Sequence, residues 1–214
     1  MYLARHGETT WNVAGRYQGR LESALSALGV RQGIALAEYF VQRLERDEAV
    51  PVRVLSSPLL RCTATAQFTA TRLDLAVETD ERLIEIGHGS WEGRYREELE
   101  RNDPGRYKTW RQDPARVSFE GGETLAEVAA RWNAFAASLL ARADEDVLVV
   151  THDAVVRVAL LALEGRPLDD FWQMPVENAA FARIERVEGR LRLVEACRTE
   201  HLADLRASVA GQAL

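Results

Sequence analysis

The sequence predicts an α/β fold: a three-layer α/β/α sandwich with a mainly parallel central sheet and a helical or loop lid insertion. Three observations carry this. Short apolar runs alternate with longer stretches whose apolar residues recur at helical spacing, the order of successive strand–helix units. One run, Val147-Leu148-Val149-Val150, is apolar at every position, as in a central strand covered on both faces. Three runs end in polar, chemically capable residues, as strands do at the carboxyl edge of a parallel sheet.

The first strand is Tyr2 to Ala4, and it runs straight into Arg5-His6-Gly7. Residues 7–25 are polar and punctuated by Gly7, Gly15 and Gly19, so they read as a loop with a turn of helix. Ser26 can cap the next helix, in which Leu36, Tyr39, Phe40 and Leu44 keep helical spacing to about Arg46. Val52 to Leu55 is a second strand. Ser57 then reads as an N-cap and Pro58 as the first residue of a helix to 72. Leu75 to Glu78 is a short strand. Residues 80–122 hold six glycines and two prolines, with helical pieces at 94–101 and 104–112, which suits a lid rather than a sheet core. Leu125, Val128, Trp132, Phe135 and Leu139 then step by three and four residues, a core-facing helical stripe. The strand from Val147 ends at Thr151-His152-Asp153, a helix fills 154–164, and Asn178–Arg186 with Arg190–Ala196 form a hairpin around Glu188-Gly189. The last dozen residues lack a clear pattern. Residues 1–214 read as a single domain, with the lid at about 80–122.

Composition narrows the function. The 214 residues carry a net charge of −6, which argues against binding to a phosphate backbone, so no nucleic-acid partner is expected. No apolar stretch approaches the length of a membrane helix, so no membrane partner is expected, and residue 1 begins the first strand, which leaves no room for a leader. Cys62 and Cys197 lie far apart with no zinc-ligand spacing, so the chain reads as a cytoplasmic protein with reduced thiols, no metal site and no cofactor. Oligomeric state stays open between monomer and homodimer.

Three strand ends matter most: Arg5-His6-Gly7, Ser56-Ser57-Pro58 with Arg61 one turn further on, and Thr151-His152-Asp153. In a parallel sheet all three share one edge, so two histidines and two arginines face one crevice. A guanidinium pair holds an anion bidentately, and a neutral imidazole can attack it. Nearby positive charge also favours the neutral imidazole, whose other ring nitrogen needs an acceptor; a backbone carbonyl near Gly7 is the candidate.

Arg5-His6-Gly7-Glu8-Thr9 with Trp11-Asn12 resembles the signature of the histidine phosphatase superfamily, the phosphoglycerate mutase-like fold. Further blocks follow in order: Ser57-Pro58-Leu59-Leu60-Arg61, Leu83-Ile84-Glu85 with Gly89-Ser90-Trp91-Glu92-Gly93, Gly121-Gly122-Glu123-Thr124, and Val150-Thr151-His152-Asp153. The resemblance runs from residue 1 to about 202 and implies roles. His6 is the nucleophile, Arg5, Arg61 and His152 grip the phosphoryl oxygens, Glu85 is general acid and then base, and Asn12 helps hold the phosphate. Gln18, Gly19, His88 and Asp153 are further candidates for substrate or phosphate contact, with helix capping the alternative role for Asp153. The resemblance includes mutases, but the short span between Gly93 and Gly121, and Gln112 after Trp110-Arg111, resemble the small cofactor-independent phosphatases. The expected activity is hydrolysis of a small phosphorylated metabolite. Phosphoglycerate mutase-type transfer is the alternative, and a silent phosphate-binding module is a second, against which the intact His6, Arg5, Arg61, Glu85 and His152 argue.

Overall fold

In the computed structural model, which describes residues 1–142, 145–208 and 211–213, the first strand is buried along its whole length. This strand, β1 (Tyr2–Arg5), sits inside a six-stranded sheet with β2 (Arg53–Ser56), β3 (Val77–Thr79), β4 (Val147–Thr151), β5 (Phe181–Val187) and β6 (Arg190–Arg198). The order is β3-β2-β4-β1-β5-β6. The first four of these strands are mutually parallel, and the β5–β6 hairpin adds to β1 antiparallel. The sheet is therefore mixed but mainly parallel.

Side-chain alternation along each strand assigns the two faces. Tyr2, Ala4, Val54, Leu148 and Val150 pack on one side with Leu36 and Phe40 of α2 (Ala27–Leu44) and Cys62, Ala66 and Ala70 of α3 (Leu60–Arg72). Leu3, Leu55, Val147 and Val149 pack on the other, under α6 (Leu125–Leu140) and α7 (Asp153–Glu164). The apolar run at 147–150 is thus buried on both faces because helices cover both.

The helix signals are realised at the atomic level. The Ser26 hydroxyl accepts from the Gly29 amide at 3.0 Å, and Thr124 with Glu127 forms a capping box on α6. The start of α3 is a correction: the helix begins at Leu60, with Leu59 at the N-cap position and no side-chain cap. The Ser57 hydroxyl, expected to cap, accepts only a long 3.4 Å bond from the Leu59 amide, ahead of the helix.

Between β3 and α6 the chain builds α4 (Arg96–Asn102), α5 (Pro104–Gln112) and short 3₁₀ turns, with no strand among the described residues. Its own core is aromatic: Trp91, Trp110 and Phe119 are buried together, with Tyr17 inserted from the first loop. That loop carries α1 (Thr10–Val13), a single turn capped by Thr9. At the end of the chain, which follows no clear pattern in the sequence, Gln212 and Ala213 are buried. No helix among the described residues is long and apolar enough to cross a membrane.

Candidate active site

The parallel register sets the site. Arg5 lies opposite Thr151, and the His6 amide continues the ladder with a 2.9 Å bond to the Thr151 carbonyl. Ser56 lies opposite Val150, and the Ser57 amide bonds the Val150 carbonyl at 3.0 Å. Three strand ends therefore meet at one edge, and Arg5, His6, Ser57, Arg61 and His152 are all buried there.

His6 Nδ1 lies 2.7 Å from its neighbour's carbonyl, Gly7 O. A carbonyl only accepts, so Nδ1 carries the proton and Nε2 keeps its lone pair. This is the acceptor expected near Gly7. Burial holds His6 well below the ordinary imidazole range, and Arg61 and then Arg5 push the same way. The ring is neutral at physiological pH.

Arg61 Nε donates to His152 Nδ1 at 3.2 Å, while Nη1 and Nη2 donate to the carbonyls of Leu21 (2.9 Å) and Gly19 (2.7 Å). The His152 ring stands edge-on to His6, with centroids 5.3 Å apart. Arg5 Nη1 donates to Val176 O at 2.8 Å and Nη2 to Gln212 Oε1 at 2.6 Å. Its Nε is buried with no hydrogen-bond partner among the described residues, as is Asn12 Nδ2. Buried donors left unpaired are costly, and an anionic oxygen is the acceptor that would relieve them. The Asn12 Oδ1 is meanwhile held by the Thr9 amide (3.0 Å) and hydroxyl (3.1 Å).

Glu85 is buried, and burial pushes its carboxyl up to about 7; Arg61 opposes that rise and Asp153 adds to it. Its segment is anchored from two sides. Thr151 Oγ1 donates to Leu83 O at 2.6 Å, and Glu123 clamps Gly87 with its amide to Gly87 O (2.7 Å) and its carboxylate to the Gly87 amide (3.1 Å). Gly122 is needed for this close approach, because a Cβ there would sit 2.2 Å from Gly87 O. Glu123 is itself fixed by Arg131 at 3.1 Å.

A sequence model of the histidine phosphatase superfamily (branch 1) matches residues 1–199. The chain belongs to this superfamily. Phosphoserine phosphatase 1 of Hydrogenobacter thermophilus is 36% identical over 205 residues, covering 95% of this chain and 94% of that protein. A glucosyl-3-phosphoglycerate phosphatase of Mycobacterium tuberculosis is 33% identical over 177 residues, covering 78% and 76%. Among solved structures, Bacillus stearothermophilus YhfR superposes with a TM-score of 0.85 at 30% identity, covering 94% of this chain and 98% of that one. This histidine phosphatase is accordingly a small-metabolite phosphatase.

Other residues singled out from the sequence take different places in this histidine phosphatase. Asp153 does not cap α7 with its side chain. It is fully buried between two arginines, 3.1 Å from Arg5 Nη1 and in contact with Arg157 Nε. Its carboxylate neutralises the back of Arg5 and fixes its direction. Gln18 turns Oε1 to the hydroxyls of Thr9 (3.0 Å) and Ser23. Gly19 meets Arg61 through its carbonyl, and its left-handed backbone (φ +49°) fits closely against the Glu92 carboxylate. His88 is enclosed by the rings of Tyr17, Trp110 and Phe119, where burial pushes it down to about 3. Both its ring nitrogens are without a hydrogen-bond partner among the described residues.

Three contributors are not among the candidate site residues that the sequence offers. Gln212 Nε2 donates to Asn178 Oδ1 at 2.7 Å, and Asn178 Nδ2 reaches Asn12 Oδ1 at 3.4 Å, so an amide chain links Arg5 to Asn12. Neither amide lies in a recognisable block. Ser57 is the third: it lies inside a block, but its capping pattern concealed the contact it makes.

Proposed function

We propose that this phosphatase hydrolyses its substrate through a phosphohistidine on His6, with Glu85 as general acid and then base. One observation carries the reading: a neutral buried imidazole with its lone pair on Nε2, beside Arg5, Arg61 and His152, with a carboxyl held to about 7 in the same edge. In the first step the Nε2 lone pair forms a bond to phosphorus and the ester P–O bond breaks. Protonated Glu85 gives its proton to the departing oxygen. In the second step water attacks the phosphorus, Glu85 takes the water's proton, and the P–N bond breaks to release phosphate.

Arg5 Nε and Asn12 Nδ2 supply two ready donors to the phosphoryl oxygens. Arg61 supplies more once its terminal nitrogens exchange the carbonyls of Gly19 and Leu21 for phosphoryl oxygens, which moves the 18–23 loop as substrate enters. Phosphoserine and glucosyl-3-phosphoglycerate, named for the two relatives, are both phosphate monoesters that also carry a carboxylate. Small phosphorylated acids are therefore the first substrate class to test. Cys62 and Cys197 are both unpaired, and a reducing cytoplasm is the compartment this reading assigns.

The test offers the purified protein phosphoserine, glucosyl-3-phosphoglycerate, 3-phosphoglycerate and p-nitrophenyl phosphate, and measures free phosphate. Release from a phosphorylated acid that is unaffected by a chelator and absent in His6→Ala supports the reading. Stoichiometric 2-phosphoglycerate from 3-phosphoglycerate, without free phosphate, overturns it in favour of a mutase.

A further inference from the structure

His152 sits in a cradle of three side chains. Arg61 Nε lies 3.2 Å from its Nδ1, Ser57 Oγ lies 2.7 Å from its Nε2, and Cys62 Sγ lies 3.3 Å from Nε2 and 3.6 Å from Nδ1. All four residues are fully buried, so no solvent corrects an error in this arrangement.

The hydrogens follow from the donor inventory. The Arg61 guanidinium has donors only, so His152 Nδ1 must be the bare, accepting nitrogen. In the neutral ring the proton is then on Nε2, and Ser57 Oγ is the acceptor that receives it. The opposite tautomer would set two N–H donors against each other at 3.2 Å and drive the Arg61 guanidinium out of place. The thiol is no substitute acceptor, being a weak one.

The backbone makes Ser57 the residue that can do this. Its amide is tied to Val150 O at 3.0 Å, next to the strand that ends at His152. Its own carbonyl receives the Ser56 hydroxyl at 2.8 Å. Of two adjacent buried hydroxyls, Ser56 serves the backbone, while Ser57 meets the imidazole at 2.7 Å and takes only a long 3.4 Å bond from the Leu59 amide.

We infer that Ser57 is a positioning residue, whose hydroxyl fixes His152 in the Nε2-protonated tautomer and so keeps Arg61 aimed at the phosphoryl group. The inference rests on the phosphohistidine reading for its catalytic consequence, but the tautomer itself is independent of any activity. Ser57→Ala leaves the Nε2 proton without an acceptor. It lowers the rate of phosphoryl transfer to His6 by roughly ten- to a hundredfold, the scale of one buried hydrogen bond. Ser57→Thr, which keeps the hydroxyl, restores most of it.

The deciding measurement is a long-range proton–nitrogen correlation spectrum of the ¹⁵N-histidine-labelled protein, assigned with His152→Gln. The wild type should read Nε2 protonated and Nδ1 bare for His152. Ser57→Ala should show a mixture of tautomers, while Ser57→Thr and the control Ser56→Ala keep the wild-type pattern. A wild-type ring protonated on Nδ1, or a Ser57→Ala pattern identical to wild type, overturns the inference. Should Ser57→Ala not fold, the wild-type and Ser57→Thr spectra still decide it. A normal tautomer pattern in a protein that hydrolyses nothing would instead count against the proposed function.

Discussion

Glu85 is where a single residue's environment makes the sharpest claims. Its carboxyl is raised from 4.5 to about 7, and burial is the main cause. The acid step needs the protonated form, so kcat/KM should fall as pH rises through about 7, and a pH–rate profile reads this directly. Glu85→Gln should lose that limb together with most of the activity. The same shift carries a stability consequence of fixed sign. The folded state prefers the protonated carboxyl, so its contribution is fully present below 4.5 and is lost as pH rises through about 7. Above that, ionised Glu85 costs about 3 kcal/mol. Glu85→Gln escapes this cost while keeping an acceptor for the Ile86 amide, so its Tm advantage over wild type should widen from pH 5 to pH 8 in calorimetry. At the same scale, Gln212→Ala removes an acceptor 2.6 Å from Arg5 and breaks the amide chain to Asn12. It should lower kcat/KM about tenfold with a change in Tm of only a few degrees. The places of His6 and Arg61 at the shared sheet edge are legible in the sequence because their blocks are distinctive. Gln212 is not, because a long-range contact across 207 positions leaves no local pattern.

Elements meet the site through close backbone approaches, and here two glycines in helices should respond in opposite ways. Gly29, in α2, faces the signature loop, where an added Cβ would lie 1.9 Å from Glu8 O. Gly105, in α5, has open space around that position. Alanine is the better helix former by up to about 1 kcal/mol, so propensity alone would stabilise both. Gly105→Ala should raise Tm slightly. Gly29→Ala should lower stability by about 1–3 kcal/mol, and it should cut activity because the loop bearing Glu8 must shift. Thermal melts and kinetic assays of the two variants check both signs. Element existence was readable from periodicity, and the α6 stripe became a buried face residue for residue. The start of α3 was misread for a physical reason. Ser-Pro before a helical run satisfies the local rules for a cap, but Ser57 is claimed by the imidazole of a different strand end. The tertiary contact at 2.7 Å is the short one, and the local bond from the Leu59 amide is stretched to 3.4 Å.

The whole molecule is an α/β sheet whose candidate site groups come from strand ends that register brings together. Arg5 of β1, Ser57 after β2 and His152 after β4 are adjacent because β2, β4 and β1 are neighbours in the sheet. That convergence could be inferred from three strand ends before any coordinates. The alcohol half of the substrate could not be inferred in this way, because the insertion between β3 and α6 and the 18–23 loop follow no regular period. The central claim concerns the covalent intermediate, and its most direct test is rapid quenching of the enzyme during turnover of a phosphorylated acid, with the phosphorylated peptide sequenced by mass spectrometry. An acid-labile, alkali-stable phosphate on His6, formed at least as fast as steady-state turnover and missing in His6→Ala, is the predicted result. Turnover with no phosphoenzyme in the burst phase, or with the phosphate on another residue, would contradict it.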